Sequence, residues 1–117
     1  DLELLGAAGA FYGHLFPVWL RFKGGKGVAT MLGICFVLDW RVGLTYALVW
    51  LLGMAGSRIS SVGGMAAALS APMAAALIGQ NKLALTLLIL AVTVLVMHRD
   101  NIRRLLAGTE PRIGQKS

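Results

Sequence analysis

Residues 83–97 read LALTLLILAVTVLVM, an apolar run without a single charged side chain. Four further apolar segments precede it, separated by short polar interruptions. None of them alternates apolar with polar residues as a half-exposed strand would, and backbone groups that face lipid must be hydrogen-bonded within their own segment. Helices are therefore predicted throughout, over about residues 2–15, 27–38, 42–55, 61–79 and 83–97.

The composition indicates that the solvent of this protein is lipid. Hydrophobic residues make up 57% of the 117 residues and charged residues only 14%, whereas roughly a quarter of a soluble domain is charged. A fold of this size buries only about 60–70% of its chain's surface, so its interior is too small for so many apolar groups. We expect an all-α integral membrane protein, with residues 1–117 forming a single membrane domain.

The basic residues are distributed unevenly among the polar interruptions. Two interruptions, residues 39–41 and 80–82, hold one basic residue each. The interruptions that alternate with these, together with the C-terminal stretch, hold the other nine: Arg21, Lys23, Lys26, Arg58, Arg99, Arg103, Arg104, Arg112 and Lys116. The positive-inside rule places this second set on the cytoplasmic side, which brings every polar motif to one membrane face. Because the basic residues form no stripe on a soluble face, no nucleic-acid partner is expected.

A basic, glycine-rich loop separates the first two apolar segments, within residues 13–30, GHLFPVWLRFKGGKGVAT. Its glycines let backbone N–H groups converge on an anion, and the helix that follows adds the positive end of its dipole. The spacing is not that of a Walker P-loop. The pattern indicates either a phosphate site or a cytoplasmic turn in which glycines only provide flexibility. The candidate phosphate-binding residues are Lys23, Gly24, Gly25, Lys26, Gly27 and Thr30.

His14 lies close to Pro17, near the end of the first apolar segment. Proline disfavours a helical conformation in the residue before it, so the first helix is predicted to end near Leu15. This would leave His14 at the membrane boundary, either as an interfacial hydrogen-bonding residue or as a functional group. The single cysteine, Cys35, lies in an apolar run and is predicted to be a small core residue, so neither a metal site nor a cofactor is expected.

The fourth apolar segment begins beside a second polar cluster, Arg58 to Ser61. Ser60 or Ser61 is predicted to cap the helix, and Arg58 beside the helix start is a candidate clamp for a second anion. Within the helix Pro72 is expected to produce a kink. A small residue at every fourth position predicts close packing against a neighbouring helix; these residues are Gly63, Ala67, Ala71, Ala75 and Gly79.

A third polar motif, HRDNIRRLLAGTE at residues 98–110, follows the last apolar segment. His98 and Asn101 are three residues apart and are predicted to share a helix face. The apolar residues between positions 102 and 106 predict that this helix lies along the membrane interface, and Gly108 is its expected end. Interfacial anchoring against anionic lipid would explain the arginines, but it requires neither His98 nor Asn101.

These motifs together resemble a known family. Residues 13–30 and 98–114 closely resemble motifs two and three of the bacterial acyl-phosphate:glycerol-3-phosphate acyltransferases, and Arg58 to Ser61 resembles the Arg/Lys-x-x-Ser turn between them. The resemblance implies a multi-pass enzyme of the bacterial cytoplasmic membrane with about seven helices. Its reaction transfers a fatty acyl group from acyl phosphate to the 1-hydroxyl of glycerol 3-phosphate, giving lysophosphatidic acid and phosphate in phospholipid biosynthesis.

The resemblance also assigns roles to individual residues. His98 and Asn101 fall on the family's functional histidine and asparagine, and His14 belongs to the phosphate-loop motif. Ser61 matches the middle serine, with Arg58 beside it, and Glu110 falls on a carboxylate whose expected role is structural. The family's first motif, a Ser/Gly/Asn-rich stretch with an arginine, does not occur in this sequence. We therefore expect an N-terminally truncated portion with about five of the seven transmembrane or partly membrane-embedded helices.

Two functions of different classes follow from these patterns. Acyl phosphate is already activated, so an enzyme needs only to orient the substrates, neutralise charge and provide a route for the hydroxyl proton. Because no serine or cysteine has a nucleophile arrangement, we expect direct transfer without an acyl-enzyme, with His98, His14 or the leaving phosphate as the base. The alternative is a non-catalytic helical membrane module or a transporter fragment with basic cytoplasmic loops. A transporter more often carries polar residues at mid-membrane, and these segments carry almost none.

Overall fold

The computed structural model describes residues 2–21 and 27–113, with side chains over residues 2–12 and 27–113. Within these ranges the chain contains helices and no strand, which confirms the all-α prediction. That residues 1–117 form one domain stays a prediction. The helices are α1 (Leu2–Arg21), α2 (Val28–Leu38), α3 (Trp40–Ser57), α4 (Ser60–Leu77), α5 (Asn81–Met97) and α6 (Arg99–Ala107).

The first helix is longer than predicted. α1 continues through Pro17 to Arg21, so the expectation that it ends near Leu15 is wrong. A proline removes only one N–H donor from the helical ladder, and membrane helices tolerate this loss because neighbouring groups satisfy the freed carbonyl. His14 therefore lies within α1 and not at its end, and its side chain is outside the described part of the structure.

The third helix begins two residues earlier than predicted because Asp39 caps it. The Asp39 carboxylate accepts a hydrogen bond of 2.9 Å from the backbone N–H of Arg41. It also binds the guanidinium of Arg41, and it accepts 2.9 Å from the side-chain amide of Gln80. The last contact joins the α2–α3 junction to the α4–α5 junction, so the two weakly basic interruptions lie together at one end of the bundle.

Glycine allows α3 and α4 to approach each other closely. A Cβ atom on Gly53 would lie 2.9 Å from the Cα of Gly63, and one on Gly63 would lie 2.9 Å from the carbonyl oxygen of Trp50. The rest of the small-residue stripe in α4 is buried as well, apart from Gly79, which lies beyond the helix end. The prediction that this stripe packs inside the protein is confirmed for Gly63, Ala67, Ala71 and Ala75 and wrong for Gly79.

Replacing Gly63 with alanine is expected to destabilise the protein by about 1–3 kcal/mol, because its Cβ would overlap backbone atoms of α3 and push the two helices apart. Gly56→Ala in α3 is the matched control, since no described atom lies within 4 Å of the Cβ position there. This control should leave stability unchanged or raise it by up to about 1 kcal/mol. Thermal unfolding in detergent measures both variants, and equal melting temperatures would refute the close-packing argument.

The core lies between α1, α2, α3, α4 and α5. Met31, Cys35, Tyr46, Leu87 and Leu90 are among its fully buried side chains. Cys35 is therefore a core residue, as predicted. Pro72 is also buried, inside a helix that continues past it to Leu77.

Few of the described helices are long enough to span a membrane. By length and composition, α4 is the one helix that could cross a bilayer alone. The pair α5 and α6 passes the same criterion together but bends by 58° at the break between them. α2 and residues Leu2–Tyr12 of α1 are apolar but shorter. The expected number of about five membrane helices therefore stays a prediction.

Candidate functional site

Glu110 is the centre of a polar cluster that joins α4, α6 and the segment after α6. Its carboxylate accepts hydrogen bonds from Ser61 Oγ at 2.6 Å, from Asn101 Nδ2 at 2.8 Å and from Arg104 Nε at 2.8 Å. The Glu110 side chain is 4% exposed and that of Arg104 is 43% exposed. Ser61 and Glu110 are 49 residues apart in the sequence. Their contact therefore brings the second and third polar motifs together.

The charge state of Glu110 follows from two opposing effects. Burial alone would raise the pKa of this carboxyl, because it penalises the charged form. The hydrogen bonds from Ser61, Arg104 and Asn101, with the positive charge of Arg104, outweigh burial and hold the pKa below its ordinary value. Glu110 is thus ionised at neutral pH and acts only as an acceptor.

The two serines at the start of α4 are not its caps, contrary to the prediction. α4 begins at Ser60, so both serines lie in its first turn, past the position at which a cap must stand. The N-cap residue is Ile59, and no side chain caps the helix there. The hydroxyl of Ser57 accepts a hydrogen bond of 3.0 Å from the Ile59 N–H instead. Ser61 donates to Glu110, because an ionised carboxylate is a strong acceptor.

Arg58 closes α3 in a left-handed conformation, with φ 60°. Its guanidinium donates a hydrogen bond of 3.2 Å to the carbonyl oxygen of Ile113, and the Ile113 N–H donates back to the Arg58 carbonyl. The segment after α6 is thereby held against the α3–α4 junction. The partner of Arg58 here is a backbone carbonyl, so its role as an anion clamp stays a prediction.

His98 lies at the bend between α5 and α6 and is 1% exposed. Its Nδ1 bonds to the carbonyl oxygen of Val94 at 2.8 Å. Since a carbonyl can only accept, the proton is assigned to Nδ1, and in the neutral ring the basic nitrogen is Nε2. Asn101 lies in the first turn of α6, for which His98 is the cap residue. The two predicted residues therefore flank the start of one short helix, which ends at Gly108 as predicted.

The glycine loop enters α2 through Gly27, a buried residue in a left-handed conformation with φ 84°. A side chain in that conformation costs roughly 1–2 kcal/mol, which favours glycine at this position. The next residue, Val28, accepts a hydrogen bond of 2.7 Å at its carbonyl from the Tyr46 hydroxyl. Its side chain lies against Gly64, one turn beyond Ser61 on α4. The start of α2 is thus close to the cluster around Glu110.

The other predicted loop residues are distributed differently. Thr30 lines an apolar groove of about 500 Å³ between α1 and α2, on the side of α2 that faces α1. Lys23, Gly24, Gly25 and Lys26 lie outside the described residues.

Three predicted motifs consequently lie towards one end of the bundle. These are the start of α2, the α3–α4 junction and the α5–α6 junction with the segment that follows. The contact between Asp39 and Gln80 lies at the opposite end of α3 and α4. α3 and α4 are each 18 residues long, so their two ends are about 27 Å apart. The segregation of the interruptions to opposite ends is confirmed, and the assignment of one end to the cytoplasm stays a prediction.

The sequence does not predict two contacts in this region. Asp100 pairs with Arg103 at 3.4 Å, as its helical spacing suggests, but Arg104 pairs with Glu110 across the Gly108 turn. No periodicity predicts that contact. The bond from Tyr46 to Val28 was also missed. Its only signal is a tyrosine in an apolar segment, because a buried phenol hydroxyl needs a partner.

The fold and sequence also match known proteins. Residues 2–108 match the family described as Glycerol-3-phosphate acyltransferase. A glycerol-3-phosphate acyltransferase of Erythrobacter litoralis is 56% identical over 110 residues, which cover 94% of this chain and 56% of that protein. One of Cereibacter sphaeroides is 50% identical over 117 residues, covering 100% of this chain and 56% of that protein. The chain spans about half the length of the curated relatives it matches.

A solved structure shares the fold. PlsY, an integral membrane glycerol 3-phosphate acyltransferase in its glycerol 3-phosphate form, aligns with a TM-score of 0.77 and 39% identity. The alignment covers 89% of this chain and 52% of that one. Family match, relatives and fold agree: this chain belongs to the glycerol-3-phosphate acyltransferase family.

Proposed function

We propose that this chain forms part of a membrane enzyme that transfers a fatty acyl group from acyl phosphate to the 1-hydroxyl of glycerol 3-phosphate. The products are lysophosphatidic acid and phosphate, in phospholipid biosynthesis at the bacterial cytoplasmic membrane. The names of the relatives support the acceptor, and PlsY is described in a glycerol 3-phosphate form and a lysophosphatidic acid form. The motif resemblance supports the donor. The observation that carries the proposal is the contact of Ser61 and Asn101 with one carboxylate, beside the start of α2.

The charge at this end of the bundle suits two anionic substrates. Arg58, Arg99 and Arg103 are exposed there. Such a basic surface raises the local concentration of phosphate-bearing molecules. The glycine loop and Lys26 hold one phosphate, with Lys23 adding charge. Arg58 and Ser61 contribute to binding the second substrate.

The reaction proceeds in one step at the acyl carbonyl carbon. The 1-hydroxyl oxygen of glycerol 3-phosphate forms a bond to this carbon. At the same time the bond between the carbon and the phosphate oxygen of acyl phosphate breaks, and inorganic phosphate leaves. His98 accepts the hydroxyl proton at Nε2 and passes it to the departing phosphate. Asn101 orients the hydroxyl through its side-chain amide, whose Nδ2 donates to Glu110. Glu110 has a structural role, because its described partners are the protein's own donors. His14 and the leaving phosphate remain the alternative bases.

Synthesis of lysophosphatidic acid tests this proposal directly. The full-length enzyme, reconstituted in vesicles, is given synthetic acyl phosphate and glycerol 3-phosphate. Equal amounts of lysophosphatidic acid and phosphate are expected. An absence of product would favour a non-catalytic membrane module, and product formed only from an acyl thioester would overturn the proposed donor.

Replacing Lys26 with alanine should raise KM for one anionic substrate at least tenfold, because a charged hydrogen bond to phosphate contributes roughly 1.5–3 kcal/mol. Lys82→Ala is the control, since this exposed lysine lies at the opposite end, in the first turn of α5. Its KM values should equal those of the parent. Steady-state kinetics with each substrate varied in turn measure both variants, and unchanged kinetics for Lys26→Ala would remove Lys26 from the site.

A further inference from the structure

The tyrosine hydroxyl on α3 is bound to the first residue of α2. Tyr46 is 0% exposed, and its hydroxyl donates a hydrogen bond of 2.7 Å to the carbonyl oxygen of Val28. Its ring also makes an edge contact with Trp50, at 6.5 Å between the ring centroids. A side chain held in this way has one orientation. The position of the Val28 peptide is therefore set from α3.

The same residue of α2 is held from the other side by α4. A Cβ atom at Gly64 would lie 2.8 Å from Val28 Cγ2, so glycine allows the valine to rest directly against the helix backbone. Valine is branched at Cβ and has little freedom to move aside. Val28 is thus fixed between Tyr46 and Gly64, immediately after the left-handed Gly27 at which the glycine loop ends.

We propose that Tyr46 is a positioning residue for the phosphate loop, and this inference rests on the proposed function above. Its hydrogen bond holds the first turn of α2 in the place from which backbone N–H groups meet a phosphate. Without that bond the start of α2 samples further orientations. The apparent affinity for a ligand falls in proportion to the fraction of molecules that are competent to bind it. Substrate binding restores the productive arrangement, so the rate at saturation is unaffected.

The test replaces Tyr46 with phenylalanine, which removes the hydroxyl and keeps the ring. KM should rise roughly fivefold for the substrate whose phosphate the loop holds, while kcat stays within about twofold. Varying glycerol 3-phosphate and acyl phosphate separately shows which of the two phosphates it is. Tyr12→Phe is the matched control, because its hydroxyl bonds at 2.6 Å to Thr93, a residue of α5 and not of α2. This control should have the KM values of the parent.

A second variant perturbs Val28 while Tyr46 stays intact. Gly64→Ala introduces a Cβ that displaces the valine side chain, and it should raise the same KM. If either variant loses only thermal stability, or lowers kcat at constant KM, Tyr46 does no more than pack the core and the proposal is overturned. An active parent with an unchanged KM in Tyr46→Phe refutes this inference alone. A parent that makes no lysophosphatidic acid refutes the proposed function.

Discussion

Replacing His98 with alanine is expected to lower kcat for acyl transfer by roughly 100-fold or more, with KM changed only a few-fold. The reason is geometric. Nδ1 of this buried ring is bound to the Val94 carbonyl, so Nε2 is the basic nitrogen of the neutral ring, and in the proposed mechanism it takes the proton of the attacking hydroxyl. A group that accepts a proton during the reaction stabilises the transition state more than it stabilises the bound substrate. Steady-state kinetics of the reconstituted enzyme, with both substrates saturating, measure the effect.

Arg99→Ala is the control for the His98 experiment. The two residues are adjacent, but Arg99 is exposed and its guanidinium bonds at 3.2 Å to the carbonyl of Val96. Its removal should leave kcat within about twofold of the parent, as expected for an exposed side chain outside the reaction. If the leaving phosphate takes the proton, the loss of kcat in His98→Ala is small.

Replacing Glu110 with alanine is expected to destabilise the protein by about 2–3 kcal/mol. The carboxylate is the shared acceptor for Ser61, Asn101 and Arg104, and its removal leaves these three donors around an almost buried space. Because Arg104 is 43% exposed, water compensates part of its loss, which keeps the effect below that of a fully buried ion pair. Activity should fall too, since Asn101 loses the bond that orients it. Thermal unfolding and kcat are measured together.

Asp100→Ala provides the comparison for Glu110. Its carboxylate pairs with Arg103 at 3.4 Å, and both side chains are more than half exposed. An exposed pair contributes at most about 1 kcal/mol, so this variant should remain close to the parent. Equal losses of stability in Glu110→Ala and Asp100→Ala would contradict the role of Glu110 as the shared acceptor of this cluster.

The stabilisation by Glu110 should depend on pH with a definite sign. The folded pKa lies below the ordinary value of 4.5. The stabilisation is therefore fully present above pH 4.5, and it is lost as the pH falls through the folded pKa. The stability difference between the parent and Glu110→Gln should accordingly be constant near neutrality and shrink in acid. A difference that grows on acidification would contradict the assignment of Glu110 as a charged acceptor.

Local patterns were sufficient for the helical class, the approximate positions of α2 to α5 and the end of α6 at Gly108. Each of these depends on residues within a few positions of one another: apolar runs, a left-handed glycine, or a small residue at every fourth place. Pro17 marks the limit of such rules, because α1 continues through it. A propensity can be overridden when the surrounding helix satisfies the lost bond.

The site depends on partners that are distant in the sequence. Ser61 looks like a helix cap until Glu110, 49 residues away, is seen to bind it. Tyr46 looks like an ordinary apolar-segment tyrosine until its hydroxyl is found on the carbonyl of Val28. Helix packing determines the acceptor of both hydroxyls. A buried donor binds the acceptor that the neighbouring helices bring within hydrogen-bond distance, whatever their separation in the sequence.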